Sequence, residues 1–370
     1  MPEYGSHAHH RAARVPWSRR RRLTVTLLVT GVVVVTLAVG AALLLSDARP
    51  LTPGGGAGAA WTPWAPVAPT RPGIVATSGV DPGLEREPGP QLEPTPEPGT
   101  APFDAARALA TVRELEAFGV RVAGTDAETN TAHFIAERLS MLGYSPVVIE
   151  DVPLPNGCTS HNVITRADGT SSRVIVLGAH MDSKAPSPGA NDNGTGCAAL
   201  LEMARILAKQ PVAATVEFVF FGAEETIDKD PNHHHYGSRH RVAAMSAAEM
   251  ANTVGMISVD MIGYGPDFVV RTMLRGPRTM SDLLLSASRK TGSGLTFLKD
   301  PGTTGWSDHE AYELAGIPSA WIEWRDDPVY HTAKDTSGHL KVVKVRVAGQ
   351  LVLDALRGLN KDALEELVTR

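Results

Sequence analysis

The chain has 370 residues, 43% of them hydrophobic and 20% charged, and a formal net charge of -5. That length holds one large domain or two ordinary ones. A charge so mild and negative speaks against a nucleic-acid-binding protein.

Taken in chain order, the first predicted element lies close to the N-terminus. Residues 1–22 form a basic tail with Arg11, Arg14 and the run SRRRR ending at Arg22. Residues 23–45, LTVTLLVTGVVVVTLAVGAALLL, carry no charge. As a helix at about 1.5 Å per residue they span roughly 34 Å, enough to cross a hydrocarbon core of about 30 Å. Only Asp47 and Arg49 follow closely. The positive-inside rule therefore predicts a single-pass membrane protein with a cytoplasmic N-terminus and everything beyond Leu45 outside the cytoplasm. A cleaved signal peptide is the alternative, although its apolar region is usually about 7–15 residues long. Residues 46–102 are dense in Pro and Gly and show no apolar period. Such a segment cannot bury enough surface to offset its ordering entropy, which predicts a disordered, partly extended stalk.

Residues 103–370 alternate helical and strand patterns, as one α/β domain would. Helical spacing covers 103–118, and a second helix opens near Asp126 and stops at Gly143. SPVVIEDV reads as a strand; HNVITR and RVIVLGAH flank a turn-rich stretch and read as a hairpin. Then come the helix GTGCAALLEMARILAK, the strand ATVEFVFFGA, the helix RHRVAAMSAAEMA and the strand GMISVDMIG. MSDLLLSASRKTG and SDHEAYELAG read as helices around the short strand LTFLK. IPSAWIEW is a strand, and 340–368 closes the chain with helix. Strands separated by helices imply a three-layer α/β/α fold around a mixed, largely parallel sheet. Ligands bind such sheets beyond the carboxyl ends of the strands.

Those ends carry the chemistry. One strand ends in His180, Met181, Asp182; Asp192 precedes the next helix; another strand runs into Glu224 and Glu225; a third delivers Asp260; Tyr330 and His331 follow the last. Each alone is unremarkable, since an Asp before a helix is usually an N-cap. Together, two histidines and three or more carboxylates exceed the three protein ligands of one catalytic zinc. They suit two metals about 3.5–4 Å apart sharing one carboxylate.

The stretches GAHMDS, GANDNGTG, FFGAEE, SVDMIG, WSDHEAYELAGIP and YHTAKDT stand in the order found in the M28 family of zinc aminopeptidases, and the chain resembles that family over about 104–370. The resemblance implies two zinc ions per chain and peptide substrates. His180 and Asp260 would hold one zinc, Glu225 and His331 the other, and Asp192 would bridge them. Glu224 would be the general base that takes a proton from the attacking water, Asp182 would orient His180, and Tyr330 would hydrogen-bond the substrate carbonyl. The peptide between Asp192 and Asn193 is expected to be cis. Where family members follow the acid pair with a short segment, TIDKDPNHHHYGSR is longer and holds His233, His234 and His235. A third metal site or a lip over the cleft is one reading; a solvated loop is the expectation. His309 is expected to be structural or to support a metal ligand from behind.

Two other functions stay open. HMDSK and CAALLEMAR also resemble glutaminyl cyclases, which work with one zinc, and a catalytically dead binding ectodomain is the reading from another class. Oligomeric state and side-chain preference are not legible. Cys158 and Cys197 fall in the exported domain, where disulfides persist. If 161–166 pairs with 173–178, Cys158 lies close to the end of the His180 strand, and a Cys158–Cys197 bridge is expected.

Overall fold

The computed structural model describes residues 101–229, 233–302 and 304–368. The basic tail, the apolar run 23–45 and nearly all of the stalk lie outside the described residues. Among the described residues, no helix is long and apolar enough to cross a membrane.

Helix α1 (Ala105–Glu116) and helix α2 (Asp126–Met141) lead into strands β1 (Val148–Pro153), β2 (Thr159–Ala167) and β3 (Val174–His180). Helix α3 (Thr195–Leu207), strand β4 (Thr215–Phe221), helices α4 (Tyr236–Ala244) and α5 (Ala247–Asn252) and strand β5 (Thr253–Val259) follow. The last part contains β6 (Asp267–Thr272), α6 (Thr279–Thr291), β7 (Thr296–Lys299), α7 (His309–Leu314), β8 (Ser319–Arg325), α8 (Val342–Arg357) and α9 (Lys361–Val368). The eight strands form one mixed sheet in the order β1-β2-β4-β3-β5-β8-β6-β7. Strands β4, β3, β5 and β8 run parallel at its centre.

Alternation along the central strands divides the core between the two faces. Ile175, Leu177 and Ala179 of β3 and Val216, Phe218 and Phe220 of β4 join the large cluster built with α1, α2, α3 and α8. Their neighbours Val174, Val176, Val219 and Phe221 face the other way, against Ala311 and Tyr312 of α7. Every residue of β3 is buried. A strand apolar on both faces belongs at the sheet centre, not in an edge hairpin.

That placement corrects two expectations. Strand β2 does not pair with β3; it pairs antiparallel with β1 and β4, and β4 inserts between β2 and β3. The expected Cys158–Cys197 bridge fails with the hairpin, and both thiols are free. Cys158 is exposed and its Cβ sits against Gly124, whereas the buried Cys197 thiol points at the His180 carbonyl oxygen, 3.1 Å away. The helix expected over RHRVAAMSAAEMA is two helices, divided where Ser246 caps α5 with a capping box. Strand β6 carried no expectation. Gly143 ends α2 in the left-handed region (φ 94°), as anticipated.

Candidate metal centre and active site

The parallel strands deliver their carboxyl ends to one rim. Strand β3 ends at His180; Glu224 and Glu225 stand three and four residues past Phe221, the end of β4; Asp260 follows β5 directly. His331 lies in the loop after β8, and Asp192 in the turn before α3. The Asp192–Asn193 peptide is cis. Ala223 (φ 51°), Met261 (φ 52°) and His331 (φ 56°) adopt the left-handed region, which is uncommon for non-glycine residues. Each stands at or beside a candidate residue.

His180 Nε2 lies 3.2 Å from Asp192 Oδ1, 3.5 Å from Asp260 Oδ1 and 3.9 Å from Glu224 Oε2. His331 Nε2 lies 3.2 Å from Asp192 Oδ2 and 2.8 Å from Glu225 Oε1. The two oxygens of Asp192 thus face two different histidines. His180, Glu224 and Asp260 form one compact donor group; Asp192, Glu225 and His331 form a second. All are buried except the half-buried His331. Burial and the neighbouring Asp192 carboxylate push Glu225 up to about 8. Burial disfavours the His331 cation, but the adjacent Asp192 and Glu225 carboxylates outweigh it and raise that imidazole to about 9.

Several side chains fix this cluster. Asp182 does more than face His180, whose Nδ1 is 3.5 Å from Asp182 Oδ1. Its two oxygens accept the backbone N–H groups of Glu224 (3.0 Å) and Glu225 (3.1 Å), locking the acid pair in register with β3. Ser307 donates to Asp260 Oδ2 at 2.9 Å, and Asp335 accepts from the backbone of Asn191 and Asp192. Arg121, almost wholly buried, donates to the carbonyl oxygens of Met181 and Gly189 and ties together the loop between His180 and Asp192. Tyr330 is 48% exposed and stacks on the His331 ring at 3.7 Å between centroids. With His180, Asp192, Glu224, Asp260 and Trp306 it lines a cleft of about 260 Å³.

From His234 onward the histidine-rich segment departs from the solvated loop expected. His233 is half-buried and meets Asp228 at 2.7 Å, and His234 and His235 are buried. His235 Nε2 sits 2.9 Å from Glu224 Oε1, and its Nδ1 sits 2.7 Å from Glu310 Oε2. Burial works against a charge on His235, yet the flanking carboxylates raise it to about 10. The segment packs because the backbone N–H groups of His235, Tyr236 and Gly237 bond the carbonyls of Glu224, Ala223 and Gly222. The signal available in the sequence was Glu310, an acid inside the family-like WSDHEAYELAGIP. His309 is buried and bonded to Asp300 at 2.7 Å.

The donor set fits a metal. Asp192 Oδ2 and Asp260 Oδ1 are buried without a hydrogen-bond partner among the described residues. Buried carboxylates crowded around two imidazoles need a cation, and imidazole with carboxylate donors suits zinc.

A mixed sheet bearing this donor cluster at the carboxyl ends of its central strands is the arrangement of a metal-dependent α/β enzyme. The model of Peptidase family M28 matches residues 162–356, more than half of the chain, and the chain belongs to that family. It is 33% identical over 190 residues to Aminopeptidase YwaD of Bacillus subtilis (strain 168), a match covering 50% of this chain and 40% of that protein. The chain therefore spans less than half the length of this relative. Its fold is similar to that of BSAP, a zinc aminopeptidase from Bacillus subtilis, with a TM-score of 0.61 at 23% identity over 69% of this chain and 95% of that one. An Acidobacteriales bacterium glutaminyl cyclase is as similar, with a TM-score of 0.62 at 24% identity, covering 73% of this chain and all of the other.

Proposed function

We propose that this chain is an extracytoplasmic aminopeptidase that holds two zinc ions and removes N-terminal residues from peptides. One observation carries the reading: the two oxygens of Asp192 face His180 and His331, each in its own donor group. His180 and Asp260 would hold one ion, Glu225 and His331 the other, with Asp192 between them. When bound, zinc supplies Lewis acidity toward the attacking water and the scissile carbonyl.

The protein's own groups do the rest. Glu224 turns Oε2 toward His180, so this oxygen takes the proton from water and passes it to the leaving amine. Asp182 holds the backbone of Glu224 and Glu225, so proton acceptor and ligand keep a fixed spacing. Tyr330, at the cleft rim over His331, would donate its hydroxyl to the carbonyl oxygen as negative charge develops there. The uncharged run 23–45 and its arginine flank support a membrane tether with the folded part outside.

The glutaminyl cyclases among the similar folds favour a second reading, a single-zinc cyclase. One experiment separates the two. Zinc per chain is measured alongside turnover of aminoacyl-p-nitroanilides, free dipeptides and N-terminal glutamine peptides. Two zinc ions with release of p-nitroaniline support the peptidase. One zinc ion with pyroglutamate formation and no hydrolysis overturns it.

A further inference from the structure

The acid pair is only one side of the contact that β4 makes beyond its end. The chain leaves Glu225, runs through the histidine-rich segment and returns to lie against 222–224. Three successive hydrogen bonds fasten it there: His235 N–H to Glu224 O (2.8 Å), Tyr236 N–H to Ala223 O (2.8 Å) and Gly237 N–H to Gly222 O (3.0 Å). A Cβ at position 237 would stand 2.3 Å from the Gly222 carbonyl oxygen, so only glycine permits this approach. The staple brings His235 beside Glu224. His235 is 3% exposed, with φ at 57°.

We propose that His235 is a positioning residue for Glu224, clamping one carboxylate oxygen so that the other is aimed into the cleft. The claim rests on reading Glu224 as the proton acceptor. Oε1 of Glu224 lies 2.9 Å from His235 Nε2, while Oε2 faces His180 across the cleft. The clamp is itself held. His235 Nδ1 bonds Glu310 Oε2 at 2.7 Å from the first turn of α7, and Arg239 meets the other Glu310 oxygen at 3.3 Å. An unclamped glutamate samples several rotamers, and a misplacement of about 1 Å at a reacting group costs on the order of a hundredfold in rate. The same three groups, His234, His235 and Glu310, could instead form a third metal site. The Arg239 guanidinium 3.3 Å from Glu310 weighs against an added cation there.

The test uses the zinc-loaded full chain and follows kcat, KM and zinc per chain. His235→Ala should lower kcat about 10–100-fold, with KM and zinc content within about twofold of wild type. His235→Gln, which keeps an N–H donor, should recover part of kcat. Glu310→Gln should lower kcat less than His235→Ala. The double variant should be no slower than His235→Ala alone, because Glu310 acts through His235. His233→Ala, in the same segment, should leave kcat unchanged. Full kcat in His235→Ala overturns the clamp, as does loss of one metal per chain or a rise in KM at constant kcat. Glu224→Gln run in parallel separates the two ideas. If Glu224→Gln is inactive while His235→Ala is normal, the clamp alone falls; if Glu224→Gln is fully active, the base assignment falls first.

Discussion

Glu224 and Glu225 are neighbours in the chain with opposite electrostatic surroundings. Burial works against the charge of both. For Glu224 the His180 and His235 imidazoles outweigh it and hold the carboxyl below its ordinary range. For Glu225 the Asp192 carboxylate adds to burial, and the group rises to about 8. An acid that cannot comfortably ionise alone is one that a cation completes. The variants should fail accordingly. Glu224→Gln should keep zinc near wild type while kcat falls about 10²–10⁴-fold with little change in KM. Glu225→Gln should lose occupancy of one metal first, and added zinc should restore part of the activity. Zinc per chain and kcat measured on both variants check this, and wild-type turnover in Glu224→Gln refutes its role. Asp182 shows what residue-by-residue reading leaves out. Its place beside His180 was expected, but its bonds to both backbone N–H groups of the acid pair join residues 42 and 43 positions apart.

At the scale of elements, local signals located most helices, and of two exceptions one has a local cause and one a tertiary cause. The apolar spacing of 239–251 suggested one helix, yet Ser246 stops it. Its side chain accepts from Glu249 N–H at 3.2 Å, and Glu249 Oε2 accepts from the Ser246 backbone at 2.9 Å. This box pulls Glu249 down to about 2, chiefly through its bonds from Ser246. A depressed carboxyl contributes stability above its unfolded value of about 4.3 and loses it as pH falls through the folded value. Ser246→Ala should therefore cost about 1 kcal/mol at neutral pH. The difference in Tm between Glu249→Gln and wild type should shrink as pH drops from about 5 to about 2. Thermal unfolding across that range checks both, and a gap that stays constant overturns the linkage. The histidine-rich segment is the opposite case. Nothing in its composition predicts burial, because three backbone bonds to 222–224 hold it down.

For the whole molecule, the metal groups join β3, β4, β5, the turn before α3 and the loop after β8. Ions binding there act as a cross-link among segments distant in sequence. Free zinc at about a hundredfold excess over Kd stabilises the folded state by about 2.7 kcal/mol. At about 2–4 °C per kcal/mol for a domain of this size, chelation should lower Tm by roughly 5–10 °C, and zinc should restore it. An unchanged Tm after verified metal removal contradicts a structural role for the ions. The proposed membrane tether is tested on intact cells. External protease should remove the folded part while an N-terminal tag stays protected. A soluble form beginning well after Leu45, found as the only form, sinks the tether.

The amino-acid sequence alone determined the α/β class, most of the strands and the identity of His180, Asp192, Glu224, Glu225, Asp260 and His331 as candidates. These were legible because strand burial leaves an apolar run in sequence, and a polar residue at the end of such a run stands out. Tertiary structure alone decided that β4 divides β2 from β3, which separates Cys158 from Cys197 and leaves both thiols free. It also decided that His235 spans Glu224 and Glu310, residues 86 positions apart and brought together only when α7 packs against α4. Strand order and such bridges depend on long-range pairing, and no local periodicity or propensity encodes which distant segment will lie alongside.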